Sequence, residues 1–408
     1  MTTSLQGLLA DTWWYAMTAR LGDEEFKNLV DMRVNQGFNA AQVVVGIPPE
    51  TTPENPSAAS PFGAAWTREG VFNERYLLHA RERIRTMNRA GLAAIVYGAW
   101  GPQINWLGVE RMTDWWKAIL DHTADLEVIY CLTGESNLQA VFSDLALFRN
   151  NPGLIKLSDS FSSRWNVLNR LAARTQRSSK ILRERRRAWS RVLESIAVLT
   201  DKSFIIHPLP RDMGFECVDH SHLLAANTAQ TGHSSESRSR LYRLPLAHSA
   251  MNDGAARGFI NLEPWYEGIL GMFYGEDQLF AYWSSMLAGA ISFCYGAHGI
   301  WNAGDGAFLN HWGNQTFSAA LALDTPRLLG VSHRLFKPYL GQPAKVNFLE
   351  EKGTLLSIER RFFQGSIIFI PEAALVSDHP DGTYWLPMKG VFTENYPARG
   401  QVVIIQNT

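Results

Sequence analysis

The chain contains no apolar run of the roughly eighteen residues that a membrane-spanning helix needs, and neither sign of charge prevails: 38 basic side chains stand against 39 acidic ones in 408 residues. The first absence argues against a membrane, the second against a polyanionic partner such as nucleic acid. Cysteine is scarce. Cys131, Cys217 and Cys294 leave at least one unpaired, and two of them stand inside strand-like runs, VIYCL and ISFCYG, so buried reduced thiols are expected. No Gly-rich phosphate loop follows any strand-like run, which counts against a doubly wound open sheet. The opening MTTSLQGLLADTWWYAM has neither a basic leader nor a small-residue cleavage site, so the expected location is cytoplasmic.

What is abundant is tryptophan, 14 residues, several of them closing apolar runs: TWWY, YGAW, EPWYE and GIWN. Large aromatics fill the cores of large domains. The recurrence of strand followed by tryptophan also provides flat faces suited to stacking on sugars.

Short β-rich runs alternate with amphipathic segments. The strand candidates are LLADTWWY, FNAAQVVVG, LAAIVYGAWG, LEVIYCLTGE, SFIIHPL, a weak one near NTAQTGHS, GFINLEP and ISFCYGAHGIW. Between the first two, DEEFKNLVDMRVNQG places Phe26, Leu29, Val30 and Val34 on one helical face and offers Gly37 as a C-cap. NERYLLHARERIRTMNRAG ends on Gly91 in the same way. Eight strand-helix units over residues 1–330 predict an α/β fold, a (β/α)₈ TIM barrel. Residues 331–408 alternate as short strands with turns at PDG and ARG, predicting a small all-β, sandwich-like domain.

Two stretches interrupt the repeat. Residues 47–70, rich in Pro, Thr and Ser, follow the second strand on the catalytic side of a barrel and read as a lid or substrate loop. SSKILRERRRAWSRVLESI is basic, but Ile181, Leu182, Trp189, Val192 and Leu193 form an apolar face, so a solvated barrel helix is expected there.

INLEPWYEG ends an apolar run on Glu263, Pro264, Trp265, Tyr266 and Glu267, and YCLTGESN ends another on Glu135. These are the fourth and seventh strand ends, which face each other across a barrel mouth. Glycoside hydrolysis needs that arrangement: one carboxyl protonates the leaving oxygen and the other attacks, or activates water, from the opposite face. Asp11, Trp14, Gln42, Trp100 and Asn137 are placed at strand ends to hold or stack on a sugar, and His207, Gln230, His233, Tyr266, His298 and Trp301 complete the ring.

ADTWW, YGAWG, LTGESN, IIHPL, AQTGHS, LEPWYEG and YGAHGIW, in that order, resemble the apiosidase-like glycoside hydrolases. The likeness runs from about residue 8 to 302, and a small β domain after the barrel matches the family layout. EPWYEG is the most specific element, followed by YGAHGIW. The resemblance and the strand-end geometry together favour Glu135 as general acid/base and Glu263 as nucleophile, with no cofactor and no metal. Carboxylates at the fourth and seventh strand ends point to retention, and short loops after most strands against one long loop after the second point to a pocket and exo action. The substrate would be a glycan or glycoside of plant or microbial origin. Where the family often carries an aspartate after paired glycines, this chain has Gly134 followed by Glu135. The acid therefore reaches one methylene farther, and the family's known substrate is not carried over. Glu267 is the rival nucleophile, or else a ligand for sugar hydroxyls. The anomer cleaved and homo-oligomerisation stay open.

Two other readings compete. His207, Asp212, Asp219, His220, His222 and His233 lie close in sequence, as in a metal-dependent barrel hydrolase, although the first strand offers Asp11 with tryptophans and no paired histidines. A sugar-binding barrel without catalysis is the second alternative.

Overall fold

The computed structural model describes residues 3–138, 180–210, 212–251, 257–377 and 379–407. Eight parallel strands build the first sheet: β1 Leu9–Trp13, β2 Ala40–Val44, β3 Ala93–Tyr97, β4 Val128–Cys131, β5 Phe204–Ile205, β6 Asn227–Gln230, β7 Phe259–Glu263 and β8 Ala290–Cys294. Their order, β5-β4-β3-β2-β1-β8-β7-β6, makes a near-closed barrel. Between β5 and β6, Ala225 N–H donates to the Phe204 carbonyl at 2.8 Å and the Thr228 hydroxyl donates to the Ile206 carbonyl. Side chain and loop thus replace a ladder where β5 is short. Almost every strand residue is buried, which is why the runs read as continuous apolar stretches.

Among the described residues the α-helices are α1 Asp23–Asn35, α2 Glu74–Arg89, α3 Ile104–Thr123, α4 Lys180–Ala197, α5 Arg240–Met251, α6 Gly275–Leu287, α7 Phe317–Leu321 and α8 Thr325–Phe336. Gly37 and Gly91 follow α1 and α2 with φ of 95° and 92°, the left-handed turn that ends a helix without a Cβ penalty. On α1, Phe26, Leu29 and Val30 are buried as expected, but Arg33 is buried with them while Val34 is only half-buried. The cause is Asp11 on β1, which draws the Arg33 guanidinium inward. On α4, Trp189, Val192 and Leu193 are buried and Leu182 half-buried. The side chain of Ile181 lies outside the described residues.

The loop at 47–70 packs closely. Trp66 is buried edge-on to Trp115 at 4.9 Å, and Glu54 pairs with Arg68 through two hydrogen bonds. All three cysteines are buried and free. Among the described residues, no helix is long and apolar enough to cross a membrane.

A second, six-stranded antiparallel sheet follows, with β9 Lys345–Glu351, β10 Thr354–Phe362, β11 Gly365–Ile370, β12 Thr383–Leu386, β13 Val391–Thr393 and β14 Val402–Asn407 in the order β13-β12-β14-β11-β10-β9. Barrel helix α6 packs on it: Phe280 meets Phe369 at 6.0 Å, Arg360 donates to the Met286 carbonyl at 2.9 Å, and Gln401 donates to the Glu276 carbonyl at 2.7 Å.

Candidate active site

The β7 strand end owes its geometry to a bulge. Ala229 pairs with Asn261 but Gln230 pairs with Glu263, so Leu262 is extra. An extra residue bends a strand and re-aims the side chains beyond it. Here it sets Glu263 beside Gln230 on the inner face, and the Leu262 carbonyl is taken up by Gln42 Nε2 at 2.9 Å. Glu263 is 6% exposed.

Glu135 reaches the same place from β4. The chain there hydrogen-bonds alternately to its two neighbours: Gly101 N–H to the Gly134 carbonyl at 2.7 Å and Ser136 N–H to the His207 carbonyl at 2.9 Å. Glu135 has a φ of 41°, a left-handed conformation rare outside glycine. Gly134 has to be glycine because a Cβ would come within 2.3 Å of the Trp100 ring. That close approach lets Trp100 Nε1 donate to Glu135 Oε2 at 3.0 Å. Gly296 plays the same part opposite, where a Cβ would meet the Tyr266 ring at 2.3 Å. Both glycine-bearing motifs therefore seat an aromatic ring of the site.

One donor joins the two carboxylates. Gln230 Nε2 hydrogen-bonds Glu135 Oε1 at 3.3 Å and Glu263 Oε1 at 2.6 Å. Glu263 Oε1 also contacts His233 Nε2 at 2.9 Å, and the Tyr266 backbone N–H donates to His233 Nδ1 at 3.3 Å. Since Nδ1 accepts, the neutral ring carries its proton on Nε2 and donates it to Glu263. His207 lies 3.6 Å from Glu263 Oε2 with no exposed surface.

The two glutamates differ in acidity for identifiable reasons. Burial, then the neighbouring Glu263 charge, pushes Glu135 up to about 8, and the hydrogen bonds from Trp100 and Gln230 only partly oppose them. Burial acts on Glu263 in the same direction. There, however, the His233 hydrogen bond and the adjacent imidazoles outweigh it and hold the carboxyl below its usual range. Burial lowers His207 to about 4, so this ring is neutral near pH 7 and the His233 donor dominates. Near neutrality the pair is one carboxylic acid beside one carboxylate.

Trp14, Tyr97, Trp100 and His207 form an aromatic wall, with Trp14 edge-on to Tyr97 at 4.8 Å and to Trp100 at 5.3 Å. Tyr266, Trp301 and His298 form the facing wall, with centroids 6.2 and 5.6 Å apart. Around the pair, both ring nitrogens of His207, Gln230 Oε1, Tyr266 Oη, His298 Nδ1 and Trp301 Nε1 are buried without a hydrogen-bond partner of normal geometry. Leaving a buried polar group unpaired costs about 1–3 kcal/mol; unpaired indole nitrogens also occur in the core, at Trp66, Trp116 and Trp283. Other tryptophans, among them Trp13, Trp66, Trp115, Trp116, Trp189, Trp265 and Trp283, are core.

Four residues expected around the sugar are held elsewhere. Asp11 is fully buried and accepts from Arg33 Nε at 2.6 Å, Trp13 Nε1 at 2.8 Å and its neighbour's N–H at 2.8 Å. Gln42 spends its amide on Thr12, the Leu262 carbonyl and the Tyr97 hydroxyl, forming a floor beneath the pair. Asn137 ties two loops together by accepting from Leu209 N–H at 2.7 Å and donating to Asp212. Glu267 points away, its oxygens accepting from Tyr295 Oη at 2.6 Å and Thr325 Oγ1 at 2.8 Å. Pro264 ends β7, and the chain turns so that Glu263 and Tyr266 face the mouth while Trp265 and Glu267 face the protein.

Of the clustered histidines and acids, His220 pairs with Glu194 and only His207 and His233 approach Glu263. Among the described residues, no three His, Cys, Asp or Glu side chains converge as a metal-binding group. Two surface hollows of about 460 and 650 Å³ lie elsewhere, one along α4 near His220 and one behind the 47–70 loop near Trp66. Sequence reasoning missed Thr12 and Tyr97, which support Gln42, and Glu50, His311 and Trp312 at the rim. Tyr97 reads as an ordinary strand residue, and Glu50 is one carboxylate in a proline-rich loop.

A family model, the catalytic domain of the apiosidase-like proteins, matches residues 8–337. A comparison with curated proteins finds no match. Among solved structures, a glycoside hydrolase superposes with a TM-score of 0.72 at 14% identity, covering 98% of this chain and 92% of its own. A glycoside hydrolase family 5 protein from Bacteroides vulgatus ATCC 8482 gives 0.70 at 14%, covering 98% and 88%. A GH5_18 protein from Streptomyces cattleya in complex with Manb1-4GlcNAc gives 0.54 at 10%, covering 82% of each chain. At such identities the superpositions establish a shared barrel fold, while the family model covers most of the chain. The chain belongs to the apiosidase-like family and is a glycosidase built on a TIM barrel.

Proposed function

We propose that this protein is a retaining glycosidase in which Glu135 is the general acid/base and Glu263 the nucleophile. The observation that carries the reading is the shared Gln230 amide. Its two hydrogen bonds limit Glu135 Oε1 and Glu263 Oε1 to roughly 6 Å, the bonds laid end to end. Retaining enzymes hold their carboxyls about 5 to 5.5 Å apart, and inverting ones need about 6.5 to 9.5 Å to fit a water.

Glu135 protonates the departing glycosidic oxygen as Glu263 attacks the anomeric carbon, forming a glycosyl ester and releasing the aglycone. Water then attacks the anomeric carbon, gives its proton to Glu135 and frees Glu263. The split acidities support these roles, because each group rests in the protonation state its step requires. The GH5_18 neighbour binds a disaccharide, and the unpaired polar atoms between two aromatic walls suit a carbohydrate here too. Contact between the loops after β2 and β8 favours a pocket, and so action at a chain end. NMR of the first-formed product tests the mechanism: retained configuration is expected, and an inverted anomer would make Glu263 the base that activates water.

A further inference from the structure

The loops after β2 and β8 meet at the rim. Glu50, in the first, accepts from His311 Nε2 at 2.8 Å and from the Trp312 indole N–H, both in the second. Glu50 adopts a φ of 60°, uncommon for a residue with a side chain, and the Tyr15 hydroxyl holds the carbonyl of Pro49 just before it. These two bonds use one acceptor site on each carboxylate oxygen. The side chain stays 35% exposed, so further acceptor capacity is open.

The bridge is continuous with the carboxylate pair. His298 Nε2 contacts the carbonyl of Gly313, next to Trp312, at 2.7 Å, and its ring leads through Trp301 to Tyr266. His298 Nδ1 and Trp301 Nε1, both on side chains more than nine-tenths buried, have no protein partner. Glu50 and the two unpaired buried nitrogens are thus linked through the adjacent residues Trp312 and Gly313, and all three groups are of the kind that hydrogen-bond hydroxyls.

We propose that Glu50, braced by His311 and Trp312, is a specificity-determining residue that receives hydroxyls of the non-reducing terminal sugar and closes the pocket beyond it. The inference rests on the glycosidase mechanism above. The departing group leaves on the Glu135 side, at β4, and β8 lies four strands around the eight-stranded ring, so the sugar that stays behind extends toward the Glu50 bridge.

The test uses the full chain and a panel of p-nitrophenyl pentosides and hexosides. On a glycoside that the wild type turns over, Glu50→Gln should raise KM about 10- to 100-fold, as expected for losing hydrogen bonds to a charged group, with kcat within about threefold. Trp312→Phe keeps the ring but removes the brace, and should raise KM in the same direction by less. It supplies the comparison if thermal melts show that Glu50→Gln does not fold. On the p-nitrophenyl disaccharide of the same sugar, wild type should release the terminal sugar only. A Glu50→Ala/Trp312→Ala variant should release the intact disaccharide with p-nitrophenol. Unchanged KM in a folded variant, or release of intact disaccharide by the wild type, would overturn the clamp and leave the mechanism standing. If the wild type turns over no glycoside in the panel, the mechanism falls as well.

Discussion

Glu135 and Glu263 accept hydrogen bonds from a single nitrogen, Gln230 Nε2, yet stand on opposite sides of neutrality. The asymmetry comes from their other partners. Glu135 has the indole of Trp100, whereas Glu263 has the His233 imidazole and lies against His207.

Removing either carboxylate should abolish the chemistry without changing shape. Glu135→Gln and Glu263→Gln are each expected to lower kcat about 10²- to 10⁴-fold or more, with melting temperatures near that of the wild type. Steady-state rates on an aryl glycoside give the answer. Near-normal turnover in the Glu263 variant would remove it from the reaction.

The pH profile of kcat/KM should be a bell that reports the free enzyme's acid and base. Its alkaline limb should fall near pH 8, where Glu135 loses the proton it must donate. The acid limb should lie below the ordinary carboxylate range, because Glu263 must be ionised to attack. His233→Ala removes the donor that favours the Glu263 anion, so that limb should move to higher pH. An acid limb that does not move would assign it to another group.

Glu267 and Asp11 should matter for stability more than for catalysis. Asp11→Asn strands the Arg33 charge in a fully buried pair and is expected to cost about 3–5 kcal/mol. Glu267→Gln replaces an acceptor with a donor opposite a hydroxyl and should cost about 1–3 kcal/mol. Denaturant melts measure both losses. The turnover of the folded Glu267 variant, expected within a few-fold of wild type, decides whether the second glutamate of EPWYEG takes part in the reaction.

Exhaustive EDTA treatment should leave turnover intact, since two carboxylates suffice for the proposed displacement. Activity lost to the chelator and restored by Zn²⁺ or Mn²⁺ would instead favour the metal-dependent reading.

Much of this architecture is local and therefore legible in the chain itself. Seven of the eight barrel strands read as apolar runs because both faces of a barrel strand are covered, while the polar sixth, NTAQ, reads only faintly. Gly37 and Gly91 mark helix ends by backbone sterics alone. Glu135 and Glu263 stand where apolar periodicity stops, at strand ends that parallel barrels turn toward their mouth. What each polar side chain does there was decided by partners distant in sequence. Asp11 looks the same as a sugar ligand until Arg33 arrives from α1, and Glu267 looks like a rival nucleophile until Tyr295 and Thr325 take both its oxygens. The bulge at Leu262, which turns Glu263 to Gln230, appears only when β6 lies beside β7. Glu50 is one acid in a proline-rich loop until His311 and Trp312, more than 260 residues on, close over it. Periodicity records whether a side chain is buried; what it touches when buried, and hence its charge, is a property of the folded chain.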